Sequence, residues 1–177
     1  MQDITEAQAI GLLKKHSRNE VSFTRVLGHV KAVQELALEI AKDIPGVDIE
    51  YIRIGSLLHD IGRFDTWPDR VQQHGIVGAE ICRKEGIPQY ASICERHLGA
   101  GISKQDIIDQ KLDLPLKEYV PITKEEKIIT HADNLIAGSK RITLQQCLDR
   151  WEKELGHKVA EKVKALAEEV EGMRKRK

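Results

Sequence analysis

The chain has 177 residues, and its 28 lysines and arginines balance 28 aspartates and glutamates, so the formal charge is zero. That length suits one domain with a real hydrophobic core, while zero net charge argues against a general polyanion binder, which needs many phosphate contacts. No apolar run approaches the ~18 residues of a membrane span, and the N-terminus MQDITEAQAIGLLKKH lacks the basic start and apolar stretch of a signal peptide.

Taken in order, the elements read as helices. Four capping boxes are expected, in which Ser or Thr caps a helix and an acid or amide three residues on reaches back: Thr5 with Gln8, Ser17 with Glu20, Ser103 with Asp106, and Thr123 with Glu126. Val26, Val30, Val33, Leu36, Ala37 and Ile40 form an apolar stripe at steps of three and four. That helix stops at Ile44-Pro45-Gly46. Asp48 caps the next one, which carries Tyr51, Ile54, Gly55 and Leu58 on one side and ends near Gly62.

Further helices are expected over 75–84, 89–95, 124–137, 144–154 and 157–170, with an irregular stretch at 109–121. Nothing reads as a strand pair, so the expected fold is all-α, a single irregular bundle of roughly seven to nine helices. Chain 1–177 reads as one domain, with a core at about 24–137, C-terminal helices over 144–170 and a solvated basic tail over 171–177 ending in MRKRK. Cys82, Cys94 and Cys147 are far apart, and no CxxC is present; that speaks against a disulfide framework and for a cytoplasmic location.

Polar residues fall in places a core should avoid. His29 lies on the apolar stripe among Val26, Val30 and Val33. His59 and Asp60 end the apolar run YIRIGSLL, in the segment LHDIGRF. His74 opens a helix in QHGIVGAEI, His97 ends one in ERHLGAGI, and Asp133 lies in THADNLIAG. Each has an ordinary structural explanation: a backbone partner for His29, an N-cap for His74, a helix-end bond for Asp60, a lysine partner for Asp133. Together they set four imidazoles and two carboxylates at the ends or apolar flanks of five helices, where a bundle can converge. Neutral imidazoles with carboxylates are a ligand set for a divalent transition metal, and a cation offsets the cost of burying carboxylates. The absence of a thiol speaks against a structural cysteine-type zinc site.

His29, then His59-Asp60, then Asp133 resembles the H…HD…D pattern of the HD-domain superfamily of metal-dependent phosphohydrolases, and residues 59–62 read HDIG, the motif that names one of its groups. The resemblance runs from about Thr24 to Ala137. The chain is also similar to a small archaeal group of stand-alone HDIG proteins with comparable HDIGRF and ERHLGAG segments. It implies an HD-type helical fold, with one ion held by His29, His59, Asp60 and Asp133. His74 and His97 match an extension that holds a second ion, with Asp60 shared between the two. The implied ions are iron or manganese foremost among divalent transition metals.

The implied reaction is attack of metal-activated water on phosphorus, with Asp60 and Arg63 central to catalysis. Arg63 is the first candidate for the substrate phosphate because its fork suits bidentate contact; Lys140, Arg141 and Arg96 follow. Trp67-Pro68 is a candidate apolar wall. The implied substrate is a small nucleotide-like phosphomonoester or phosphodiester. A 2′,3′-cyclic phosphate is attractive because an archaeal family member of pterin biosynthesis opens one. No membrane or nucleic-acid partner is expected. Two alternatives share the residues: a diiron oxygenase, and a metal- or nucleotide-binding module without turnover. His131 reaches such a site only if its helix bends, and His16 and His157 read as surface residues.

Overall fold

Helix α2 (Glu20–Ala41) is the axis on which the other elements assemble in a computed structural model that describes residues 4–174. Its apolar stripe is buried as the spacing predicts: Val30, Val33 and Ala37 are fully buried, and Leu36 and Ile40 nearly so. It packs chiefly against α3 (Ile49–Leu58) and α8 (Lys124–Asn134). Those helices contribute Ile52, Ile54, Leu57 and Leu58, and Ile128, Ile129 and Ala132. Burying each of these leucines and isoleucines contributes ~1.5–3 kcal/mol, so the α2–α3–α8 contact is a rigid base.

Helix α1 (Glu6–His16) closes one side with Ala9 and Leu13. The one-turn α4 (Arg63–Thr66) and the pair α5 (His74–Lys84) and α6 (Ala91–Arg96) follow, joined by short 3-10 turns at Val71–Gln73 and Pro88–Tyr90. Next come α7 (Lys104–Gln110), α9 (Leu144–Leu155) and α10 (His157–Met173). The α9–α10 hairpin lies on α8, and Leu166 and Val170 join the main core. The fold is all-helical as expected. Among the described residues, nine of ten α-helices are six residues or longer, and the tenth is the single turn α4. No helix there is long and apolar enough to cross a membrane.

Several local expectations hold. The boxes at Thr5, Ser103 and Thr123 form, and Asp48 caps α3. Others change. The cap of α2 is Asn19, with Ser22 reaching back, because the Ser17 hydroxyl donates to the Lys14 carbonyl and closes α1 instead. A fifth box, Thr143 with Gln146, starts α9. Helix α8 ends at Asn134 rather than Ala137, since the chain turns into a minimal hairpin, β1 (Ile136–Ala137) with β2 (Lys140–Arg141). That strand pair was not expected. Its signal was the Gly138-Ser139 turn, with Gly138 at φ 63°.

The last helix runs past the expected end at residue 170. Helix α10 runs to Met173, and Arg174 pairs with Asp43 at 2.7 Å and with Glu171 at 3.2 Å. Residues 175–177 lie outside the described residues. The three cysteines are free and buried.

Candidate metal centre

The puzzle of HDIG is resolved at the C-terminus of α3. The last turn of a helix leaves carbonyls without a partner inside the helix. His59 is the C-cap, and its Nδ1 lies 2.6 Å from the Ser56 carbonyl oxygen three residues back. The same i−3 arrangement recurs twice: His97 Nδ1 with the Cys94 carbonyl at 2.8 Å, and His74 Nδ1 with the Val71 carbonyl at 2.5 Å. His29, in mid-helix, finds the Gly138 carbonyl at 2.7 Å, so the unexpected hairpin orients it. A carbonyl only accepts, so each Nδ1 must carry the proton. In the neutral ring each Nε2 then carries the lone pair, the form in which imidazole binds a metal.

These four Nε2 atoms converge on two carboxylates. Asp60 Oδ2 lies 3.3 Å from His29 Nε2 and 3.6 Å from His59 Nε2, whereas its Oδ1 lies 3.2 Å from His74 Nε2 and 3.4 Å from His97 Nε2. Asp133 Oδ1 lies 2.9 Å from His29 Nε2 and 3.6 Å from His59 Nε2. Two subsets are tight enough to surround one ion: His29, His59 and Asp133, and His59, Asp60 and His97, each with its ligand atoms within 4.8 Å of one another. His74 Nε2 and His97 Nε2 are 2.9 Å apart, a close approach of two lone pairs that needs a proton or a cation between them. His59 Nε2 and both Asp60 oxygens are buried with no well-directed hydrogen bond. Buried polar atoms without partners are costly. A donor set of neutral imidazoles and carboxylates fits a divalent transition metal and would remove that cost.

The field at the centre follows from the same packing. Burial opposes ionisation of Asp60, yet the Arg63 guanidinium and the surrounding imidazoles hold its carboxyl well below the usual range. Asp133 is likewise held down, against burial, by His29 and His59. Burial disfavours a charged His29, but Asp133 and Asp60 raise it to about 9. Burial pushes His97 down, which keeps it neutral.

Gly62 fixes the spacing. Its φ of −70° is ordinary, so conformational freedom is not the reason for glycine there. A Cβ at this position would meet the His74 carbonyl oxygen at 2.0 Å and the Gly78 nitrogen at 2.5 Å. Only glycine lets the turn after Asp60 lie against the first turn of α5, which sets His74 opposite Asp60.

The centre opens into a cavity of about 1170 Å³ bounded by α2, α4, the loop after His97 and the α9–α10 hairpin. All six candidate ligands except the fully enclosed His59 line it, as do Arg63, Trp67 and Pro68. Arg63 does not stand free at its exit: Nε lies 2.8 Å from Asp60 Oδ1. The other cations proposed for phosphate are elsewhere. Arg96 pairs with Glu126 at 2.9 Å, Arg141 with Glu39 at 3.1 Å, and Lys140 is exposed on the hairpin; none of the three lines the cavity. Arg96 is drawn off because Glu126, nearly fully buried, needs a cation. His131 is buried 3.8 Å from Glu171 of α10, away from the cavity, and His157 is exposed. His16 is not free on the surface but contacts Glu85 at 2.8 Å.

Sequence reasoning missed Asn134. This buried amide donates to the Gly99 carbonyl at 2.5 Å and accepts from Trp151 Nε1 at 2.8 Å, tying the loop after His97 to α9. It stands next to Asp133, a position at which a polar residue facing the core is itself a signal. Arg18 and Arg25, which also line the cavity, were not singled out from the sequence.

Comparisons with known proteins identify the family. The model of the HD domain matches residues 26–138. An uncharacterized protein of Methanocaldococcus jannaschii is 45% identical over 157 residues, covering 85% of this chain and 90% of that protein. Proteins named tRNA (cytidine(56)-2′-O)-methyltransferase are 43% identical in Thermoplasma volcanium and 40% in Picrophilus torridus. This chain covers 91% and 93% of itself in those matches, but spans only 45% and 46% of the two relatives. Among solved structures, the HD domain of the Listeria monocytogenes phosphodiesterase PgpH superposes with a TM-score of 0.56 at 19% identity, covering 93% of this chain and 98% of that one. The same domain in complex with cyclic-di-AMP gives 0.55. With the family pattern matched over most of its length and its six polar positions gathered at one centre, the chain belongs to the HD-domain family.

Proposed function

We propose that this protein is a metal-dependent phosphohydrolase acting on a small nucleotide-like phosphoester. The observation that carries the reading is the convergence of four imidazoles, each held through Nδ1 by a backbone carbonyl, and two carboxylates on one centre where His59 Nε2 and both Asp60 oxygens are buried without a well-directed hydrogen bond. In this reading His29, His59, Asp60 and Asp133 hold one divalent ion, and His74 and His97 hold a second with Asp60. The opposite orientation of the two Asp60 oxygens supports a shared carboxylate. When bound, such ions supply a water acidified toward neutral pH and offset charge on the phosphate oxygens.

The chain's own groups do the rest. The four backbone carbonyls hold each ring in one tautomer and one orientation. Arg63 engages Asp60 through Nε, which leaves its terminal nitrogens for a phosphate oxygen in the cavity. Enclosure of His59 and Asp60 keeps bulk water from screening the centre. A phosphodiesterase HD domain of like fold binds cyclic-di-AMP, and two relatives are named for a tRNA modification; both support a nucleotide-like substrate. Methyl transfer is not proposed, because each of those relatives extends over more than twice the length matched here.

The test is direct. Purified protein, loaded in turn with manganese, iron or cobalt, is assayed on an aryl phosphodiester and on 2′,3′-cyclic, 3′- and 5′-nucleotides, with metal content measured. Hydrolysis that disappears on chelation and in His59→Ala is expected. Turnover indifferent to both would overturn the assignment, as would a protein that binds no divalent ion.

A further inference from the structure

Along α2, Ser22, Arg25 and His29 stand at i, i+3 and i+7, one face of the helix, and all three line the cavity. Arg25 is one turn from His29, ~6 Å along the axis. Arg18 follows beyond the cap, its guanidinium held by the Asp65 carbonyl at 3.0 Å and the Trp67 carbonyl at 3.4 Å. That wall is therefore cationic from the candidate metal centre outward.

Lys111, the exposed C-cap of α7, also lines the cavity, and three further cavity cations are committed elsewhere. Arg63 pairs with Asp60, Lys162 of α10 with Asp106, and Arg150 lies over the Trp151 ring. Among the described residues no carboxylate lies within ion-pair distance of Arg18 or Arg25. Two arginines without carboxylate partners, beside a centre already holding Arg63, exceed what one scissile phosphate requires. Arg18 is also pre-set by its two carbonyls, so little ordering remains to be done on binding.

We propose that Arg25, with Arg18, binds a second phosphoryl group of the substrate, so that the preferred substrates are nucleotides carrying a phosphate besides the one cleaved. The inference rests on the hydrolase reading above and narrows its substrate class. The guanidinium fork is suited to this, since it meets phosphate oxygens through paired, charge-assisted bonds.

The experiment compares substrates that differ only in the extra phosphate: ApA against pApA for diester cleavage, and 3′-AMP against adenosine 3′,5′-bisphosphate for monoester cleavage. The manganese-loaded full chain is used, with wild type, Arg25→Gln and Arg25→Lys. Arg25 is exposed on the helix, so the variants should fold, which circular dichroism checks. Wild type should favour the doubly phosphorylated partner. Arg25→Gln should lower that preference in kcat/KM by about 10- to 100-fold, mainly through KM, and Arg25→Lys should restore part of it.

A wild type with no preference would overturn the proposal, as would an Arg25→Gln effect equal on both partners, the signature of general electrostatic attraction. If nothing is hydrolysed, the hydrolase reading fails by itself. Equilibrium binding of adenosine 3′,5′-bisphosphate then decides the subsite: weaker binding by Arg25→Gln keeps it, and equal binding removes it.

Discussion

Gly62→Ala tests the claim that close approach at the HDIG turn sets the centre. The added Cβ would lie 2.0 Å from the His74 carbonyl oxygen and 2.5 Å from the Gly78 nitrogen, where 3.0 Å is the shortest approach real Cβ atoms make. The turn and α5 must therefore separate by about 1 Å. Both atoms belong to the first backbone bond of α5, so the methyl wedges into that bond. Overpacking of this kind costs ~1–3 kcal/mol, and a lost buried backbone bond another ~1–3 kcal/mol. The sum, roughly 2–6 kcal/mol, predicts a Tm lower by roughly 4–24 °C in a chain this size.

Because His74 opens α5, binding of a second ion should weaken more than binding of the first. Thermal unfolding by circular dichroism gives the stability, and metal titration with elemental analysis gives the stoichiometry. Gly11→Ala is the control: nothing lies within 4 Å of its added Cβ at this exposed position of α1, and it should stabilise by ~0.5–1 kcal/mol. A Gly62→Ala protein with wild-type Tm and unchanged metal stoichiometry would refute the reasoning.

Three further outcomes are expected. A divalent ion at a hundredfold excess over its Kd should raise stability by ~2.7 kcal/mol; chelator should reverse the gain, and Asp60→Asn should abolish it, as read by Tm. Asn134→Ala should cost ~2–4 kcal/mol by stranding the Gly99 carbonyl and Trp151 Nε1, and in a Trp67→Phe background the remaining indole fluorescence should shift; unaltered emission and Tm would sink this role. Burial alone would raise Asp106, but Lys162 and Ser103 bring it from 3.8 to about 2. A depressed carboxyl stabilises the fold above its unfolded pKa, so the contribution, ~1 kcal/mol after solvent screening, is present at neutral pH and fades as pH falls from about 4 to 2. The Tm gap between wild type and Asp106→Asn should close over that window, and a gap independent of pH would exclude the mechanism.

Much of the centre was legible because its chemistry is unusual for its surroundings. A histidine on the stripe of α2 and an HD pair ending an apolar helix are residues a core does not tolerate without cause, and the family pattern joined them to Asp133. Phosphate candidates were legible only as charges near the motif. Arg96 and Arg141 satisfied that criterion and were taken by Glu126 and Glu39, which lie 30 and 102 residues away in the chain. Arg18, in the turn before α2, and Arg25, on α2, went unnoticed because an exposed arginine looks the same in sequence whether it faces solvent or a cavity.

By itself the sequence determined the helical elements, most of their caps, the apolar stripe of α2 and the six polar residues worth watching, since periodicity and capping are local properties. Only the tertiary structure decided that the four imidazoles are each fixed by a carbonyl through Nδ1, that Gly62 serves packing rather than backbone freedom, and that a hairpin of four strand residues orients His29. The His29 contact and the Gly62 packing depend on distant backbone atoms, and the three i−3 contacts depend on how each local turn is oriented in the packed fold; spacing along the chain encodes neither.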